Sequence, residues 1–247
     1  MFRLTRGLRG SATFGFLAMA LSMYMSPAHA NPIITNGSFE LLTNGPGQFD
    51  SKTVATGWTS AGYNFIFASG TADTTGSNGD FGFLKLWGPN DGSANGLPAS
   101  SPDGGNYVGA DGAFEVGAIS QTVDGLTIGG NYALTFYWAA AQQQGFTGST
   151  TEQWKVTLGS QEQDTAILDN VNHGFTGWKS QTFTYTATAT SELLSFLAVG
   201  TPNGVPPFAL LDGVSMDPVP EPDAYALIGI GLLSIPILRR LRKRRAE

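Results

Sequence analysis

The chain has 247 residues, 41% hydrophobic and 13% charged, with no cysteine, which excludes disulfide stapling and thiolate-ligated zinc. Its two histidines, His29 and His173, are too few for a histidine-cluster metal site. The formal charge of −6 is unevenly spread: residues 31–218 hold only Lys52, Lys85, Lys155 and Lys179 against sixteen acids, a balance of −12 that disfavours nucleic acid and suits divalent cations.

In chain order, Arg3, Arg6 and Arg9 precede an apolar run from Ala12 to Met25, and Ala28 and Ala30 flank His29. This order is that of a secretory signal peptide over residues 1–30, cleaved after Ala30. The apolar stretch is short for a membrane span. The mature chain is then expected to begin at Asn31, leaving His173 as its one histidine.

Residues 31–218 are enough for one domain with its own core. Helical periodicity is scarce, and short alternating runs recur between Gly, Asn, Asp and Pro clusters. Tyr63–Ala68, Phe83–Trp87 and Ala118–Val123 read as strands. Tyr132, Leu134, Phe136 and Trp138 share one parity. Trp154, Val156 and Leu158 oppose Gln153, Lys155 and Thr157, and Phe183 and Tyr185 alternate with threonines. Leu193–Val199 and Phe208–Met216 complete the set. One buried and one wet face per strand, with no helical crossovers, predicts an all-β, antiparallel two-sheet sandwich. Two polar stretches, Gly70–Asp80 and Gly88–Gly105, are long enough to be expected either to bind something or to be mobile.

No G-x-S-x-G, phosphate-binding glycine loop or H-E-x-x-H occurs. A glycosidase needs only two carboxylates, and Asp111 and Glu115 in "GADGAFEVG" are the pair to test. Both read more simply as solvated loop acids. Trp58, Trp138 and Trp154 are expected in the core. Trp87, where a strand enters the long loop, and Trp178, out of register with Phe183 and Tyr185, are the candidate ligand-binding platforms. Asp212 has the parity of Phe208, Leu210, Val214 and Met216 and should be buried with them. A buried carboxylate needs a strong partner. With four lysines and no arginine in the domain, an oxygen-coordinated cation is the natural alternative.

"NGSFE" (Asn36 to Glu40) and "FALLDGVSM", with "GWTS" and "SQTVDGLTIGGNYALTFYWAA" between them, resemble galactose-binding-like jelly-roll modules, among them many carbohydrate-binding modules. The resemblance implies that the first and last strands lie adjacent and share a structural calcium ion. Glu40 and Asp212 would then be its side-chain ligands, with backbone carbonyls completing the shell. Relatives often carry a second acid where this chain has Gly213.

Residues 219–247 hold Pro220-Glu221-Pro222, an apolar run from Ala224 to Leu238, and six basic residues: Arg239, Arg240, Arg242, Lys243, Arg244 and Arg245. The prolines hold the motif extended. The run is short for a membrane helix, which snorkelling arginines help to offset, and the basic cluster places its own end in the cytoplasm. This tripartite order resembles the PEP-CTERM sorting signal of exported proteins in Gram-negative bacteria that make extracellular polysaccharide. It implies a transient transmembrane helix, processing by exosortase, and release to the cell surface or matrix. The expected role is non-catalytic binding or organising of extracellular polysaccharide in biofilm or floc. The alternatives are a structural matrix protein without glycan selectivity and a glycan-cleaving enzyme.

Overall fold

Alternation carries residues 33–220, the part described by the computed structural model, into thirteen strands. These are β1 (Thr59–Ser60), β2 (Asn64–Phe67), β3 (Ser77–Gly79), β4 (Gly82–Leu84), β5 (Tyr107–Asp111), β6 (Ile119–Asp124) and β7 (Asn131–Gln142). The remainder are β8 (Thr150–Leu158), β9 (Gln161–Asp164), β10 (Leu168–Asn170), β11 (Lys179–Thr186), β12 (Ser191–Thr201) and β13 (Pro207–Pro218). One sheet has the order β1-β6-β12-β8-β10, with β9 also on β8, and the other β11-β7-β13-β5-β2. Strands β3 and β4 form a separate hairpin, and every pairing between strands is antiparallel. The expected all-β, antiparallel two-sheet sandwich is what the described residues form.

Ala28, Ala30, Glu221, Pro222 and the basic residues Arg239 to Arg245 lie outside the described residues. Pro220 is the last described residue and is exposed.

The inter-sheet core is built on the predicted parities. In β8, Thr150, Glu152, Trp154, Val156 and Leu158 are buried while the residues between them are half-buried. Phe196 of β12 sits at the centre. It meets Phe136 edge-on at 5.1 Å and Trp154 edge-on at 6.0 Å, with Trp58 at 6.3 Å. Trp58, Trp138 and Trp154 are all buried, as expected.

The second sheet departs from the pattern of one wet face. Every residue of β2 and β5 is buried, so these strands pack on both sides. The outer face of that sheet presents Phe65, Phe67, Tyr107, Ala139, Phe208 and Leu210 to a second apolar cluster. The covering residues include Ala72 and Leu97, one from each long polar stretch, with Leu84 and Leu86 between them. Those stretches are therefore not free loops. They close over an apolar sheet face that water would otherwise meet, which is the force that holds them.

Two expected strands are corrected. "NGSFE" forms a turn, not a first strand, with Asn36 and Phe39 at φ 53° and 54°. The turn drives Phe39 into the core and gives up the extended backbone. The strand expected over Phe83–Trp87 ends at Leu84, and Leu86 makes only an isolated bridge to Gln143.

Candidate cation site and ligand cleft

Strand β13 carries Asp212 to the first site. Between Asp212 and Ser215 its register on β7 shifts by one residue, and Gly213 takes φ 58° at this bulge. The extra residue changes which way the following side chains point. Phe208 and Leu210 belong to the outer cluster, whereas Val214 and Met216 turn into the inter-sheet core. The expectation that Asp212 is buried holds, since its exposure is 0%. The expectation that all five residues share one face fails because of the bulge.

Ser101, from the second long stretch, donates its hydroxyl to Asp212 Oδ2, while Oδ1 is buried with no partner. Burial pushes the Asp212 carboxyl up to about 8. The Ser101 and Gly213 hydrogen bonds oppose that rise, and the neighbouring acids Asp103 and Glu40 add to it. Glu40 ends the Asn36–Glu40 turn, and its Oε1 accepts the Asn106 N–H at 2.6 Å. Asn106 Nδ2 donates to the Phe39 carbonyl at 3.0 Å, tying the 101–106 loop to the turn. Val214 N–H donates to the Gly37 carbonyl at 3.0 Å, so the two ends of the domain are adjacent. At Gly213, where relatives are expected to hold a second acid, a Cβ would lie 3.1 Å from the Asp103 Cβ. The long loop thus brings Asp103 alongside.

The donor set suits a hard cation. It is all oxygen, includes an unpartnered buried carboxylate oxygen, and draws on no lysine, since the described ion pairs are Lys52–Asp80, Lys155–Glu162 and Lys155–Asp164. Among the described residues no three His, Asp or Glu side chains converge closely enough to hold an ion alone. Backbone carbonyls would have to complete the shell.

A cleft of about 250 Å³ opens elsewhere, lined by Tyr63, Asp111, Phe114, Gln143, Phe146 and Asn203, among others. Tyr63 stands just before β2, and Asp111 is the last residue of β5. Phe114 follows in the β5–β6 loop, Gln143 and Phe146 come from the β7–β8 loop, and Asn203 from the β12–β13 loop. Tyr63 and Phe114 meet edge to face at 5.2 Å, and Phe81 of the β3–β4 turn lies 6.1 Å from Tyr63.

Asp111 is buried, which corrects its reading as a solvated loop acid. Its Oδ1 accepts the N–H groups of Ala113 at 2.8 Å and Phe114 at 3.0 Å, while Oδ2 has no partner. Burial pushes this carboxyl up to about 6 against the pull of those two hydrogen bonds. Glu115 is exposed and does not line the cleft. Its backbone carbonyl accepts the Tyr63 N–H at 2.9 Å.

Neither candidate tryptophan lines the cleft. Trp87 stacks on His173 at 3.9 Å and donates its indole N–H to the Phe146 carbonyl at 2.9 Å, bracing a cleft residue. Trp178 meets Tyr107 edge-on at 5.5 Å and packs against the outer cluster beside Phe175. Sequence reasoning missed Tyr63, Phe114, Phe146, Gln143 and Asn203. A signal was present for two of them: Phe114 and Phe146 each stand in a glycine-bearing connection between strands, where an aromatic residue has no core to enter.

No protein-family model matches the chain. Over 195 residues, 74% of its length, it is 28% identical to halomucin of Haloquadratum walsbyi, of which the match spans 2%. Carbohydrate-binding modules are among the solved structures it is similar to. TmCBM61, in complex with β-1,4-galactotriose, aligns over 77% of this chain and 100% of its own at 15% identity, with a TM-score of 0.38. A CBM4 structure aligns over 75% and 99% at 18% identity, with a TM-score of 0.32. The K1 cleaved adhesin domain of Lys-gingipain from Porphyromonas gingivalis W83 aligns over 68% and 94% at 12% identity, with a TM-score of 0.38.

Proposed function

We propose that this is an exported polysaccharide-binding protein whose sandwich holds a glycan in the cleft lined by Tyr63, Asp111, Phe114 and Phe146 without cleaving it. The observation that carries this is the meeting of Tyr63 and Phe114 at 88° beside a buried carboxylate, in a cleft that Gln143 and Asn203 also line. Aromatic faces take the apolar face of a sugar ring, and a few fixed polar groups take its hydroxyls. Asp111 is the one carboxylate among the cleft residues, whereas hydrolysis of a glycosidic bond generally takes two. Isothermal titration of the purified chain against a panel of neutral and charged polysaccharides tests the reading. Saturable binding that is lost in Phe114→Ala supports it; no binding to any glycan removes it and favours a purely structural matrix role.

Glu40 and Asp212, with backbone carbonyls, would hold a structural calcium ion. Its chemistry there is to neutralise buried negative charge and pin the Asn36–Glu40 turn and the 101–106 loop to β13. The Pro220-Glu221-Pro222 motif, apolar run and basic tail support sorting by exosortase through a transient membrane anchor, with delivery to the surface or matrix of a Gram-negative bacterium. Replacing Glu221 by Ala in the native host tests this: the protein should stay with the membrane fraction, and unchanged release removes the sorting role.

A further inference from the structure

We infer that the cleft selects an amino sugar, holding the free ammonium of a hexosamine unit between the Asp111 carboxylate and the rings of Tyr63 and Phe114. This rests on the glycan-binding reading and names the class of glycan.

Three features of the cleft lead there. The first is the state of Asp111. It is only 1% exposed, and Oδ1 is saturated by two backbone N–H groups while Oδ2 accepts nothing. A buried carboxylate oxygen without a donor is costly, and a charge-assisted hydrogen bond offsets that cost better than a neutral one. The second is that, among the described residues, no lysine forms an ion pair with Asp111. The described ion pairs involve only Lys52 and Lys155, on partners other than Asp111, and all of them are exposed or half-exposed. A ligand that brings its own positive charge would supply the missing donor.

The third feature is aromatic. The Tyr63 and Phe114 rings stand at 88° with centroids 5.2 Å apart, and Phe146 lines the same cleft. The faces of such rings attract a cation, and perpendicular rings beside an acid form a corner suited to an ammonium group. A neutral sugar could stack on the same rings but would leave the carboxylate with only a hydroxyl donor. A uronate would set its own carboxylate against Asp111 within a domain of formal charge −12. Lysine side chains carry the same ammonium, but Gln143 and Asn203 add hydrogen-bonding groups of the kind that suit ring hydroxyls.

The test is titration of the purified full chain and its Asp111→Asn variant with four probes: a β-1,4-linked glucosamine tetramer, its fully N-acetylated form, the glucose tetramer, and tetralysine. Asn at this position can still accept the Ala113 and Phe114 N–H groups, so the fold is expected to persist, and the melting curve checks this. Phe114→Leu, a change at a half-exposed ring, serves as a second variant that keeps the carboxylate. Wild type should bind the glucosamine tetramer roughly tenfold to a hundredfold tighter than the other two sugars, the range set by one charged hydrogen bond. In Asp111→Asn that preference should collapse to within about threefold. Phe114→Leu should weaken all three sugars. Equal affinity for glucosamine and glucose tetramers overturns the inference but leaves glycan binding standing. So does a preference that survives Asp111→Asn. Tetralysine binding as tightly as the glucosamine tetramer, and lost with Asp111, overturns the assignment to a sugar. Binding of none of the four overturns the inference and removes its support from the parent reading.

Discussion

The Tyr63 and Phe114 rings meet at 88° with 5.2 Å between their centroids, yet Tyr63 is buried and Phe114 is 44% exposed. One ring is therefore wall and the other is free to stack. Phe114→Ala should abolish glycan retention while changing stability by no more than about 0.5 kcal/mol, the usual range for a surface site. Affinity electrophoresis beside a denaturant melt measures both. Retention unchanged in a folded variant would rule out the cleft.

Calcium should stabilise the protein through Asp212. A ligand present at about a hundred times its dissociation constant adds about 2.7 kcal/mol. EDTA should lower the melting midpoint of the wild type accordingly. Asp212→Asn removes the charge without changing the shape, so the EDTA effect should vanish while the metal-free stability is kept or improved. A midpoint indifferent to calcium and EDTA in the wild type sinks the cation site.

The pH dependence of the cation-free protein follows from buried acids. Burial pushes Glu152 to about 8, against hydrogen bonds from Thr150 and Asn170, and it pushes Asp212 to about 8 and Asp111 to about 6. A carboxyl raised in the folded state keeps its proton longer there than in the unfolded chain. Its contribution is complete below the ordinary carboxylate range and is lost as pH rises through the raised value. Each such group gives a slope of about 1.4 kcal/mol per pH unit across that window. Asp80, lowered first by its hydrogen bond to Lys52, acts in the opposite direction and only in acid. In EDTA the melting midpoint should therefore be higher near about pH 5 than near about pH 7.5. Calcium should flatten the difference, because a bound cation keeps Asp212 ionised. A midpoint that rises with pH in EDTA contradicts the buried neutral acids.

The two half-buried tryptophans should separate by role. Trp178→Ala removes a ring packed on Tyr107 and the outer cluster, and should cost about 2 kcal/mol, below the range for a fully buried Trp. Trp87→Phe keeps a ring to stack on His173 but loses the donor to the Phe146 carbonyl. It should leave the melt nearly unchanged and weaken glycan binding several-fold, about what one neutral hydrogen bond supplies. Full affinity in Trp87→Phe would show that Phe146 needs no such brace.

Gly213→Ala should cost about 1–2 kcal/mol through backbone strain and contact. The residue sits at φ 58°, and a Cβ there would lie 2.9 Å from Tyr137 Cδ2. Because the bulge also aims Asp212, calcium affinity should fall with stability. Loss of stability with calcium affinity intact would uncouple the two.

Legibility varied with how many faces of a strand are wet. Strands β8 and β12 alternate clearly because one side meets water, so Trp154, Val156 and Leu194 announce their direction. Strand β5 did not stand out. Its Tyr-Val-Gly-Ala-Asp is buried on both faces, and a run with no polar parity carries no period-2 signal. The bulge at Gly213 was equally silent: alternation continues smoothly through Phe208, Leu210, Asp212, Val214 and Met216, and only pairing with β7 shows that the side chains change sides.

The sequence by itself determined the sandwich, the three core tryptophans and the burial of Asp212, because each follows from the local alternation of apolar and polar residues. The tertiary structure alone decided which distant groups meet. Ser101 reaches Asp212 across 111 residues. Asp111 gains aromatic neighbours from three separate connections, and the polar stretches become a cover for an apolar sheet face. Such meetings depend on which loops the packed sheets bring to one edge, and no local propensity records that.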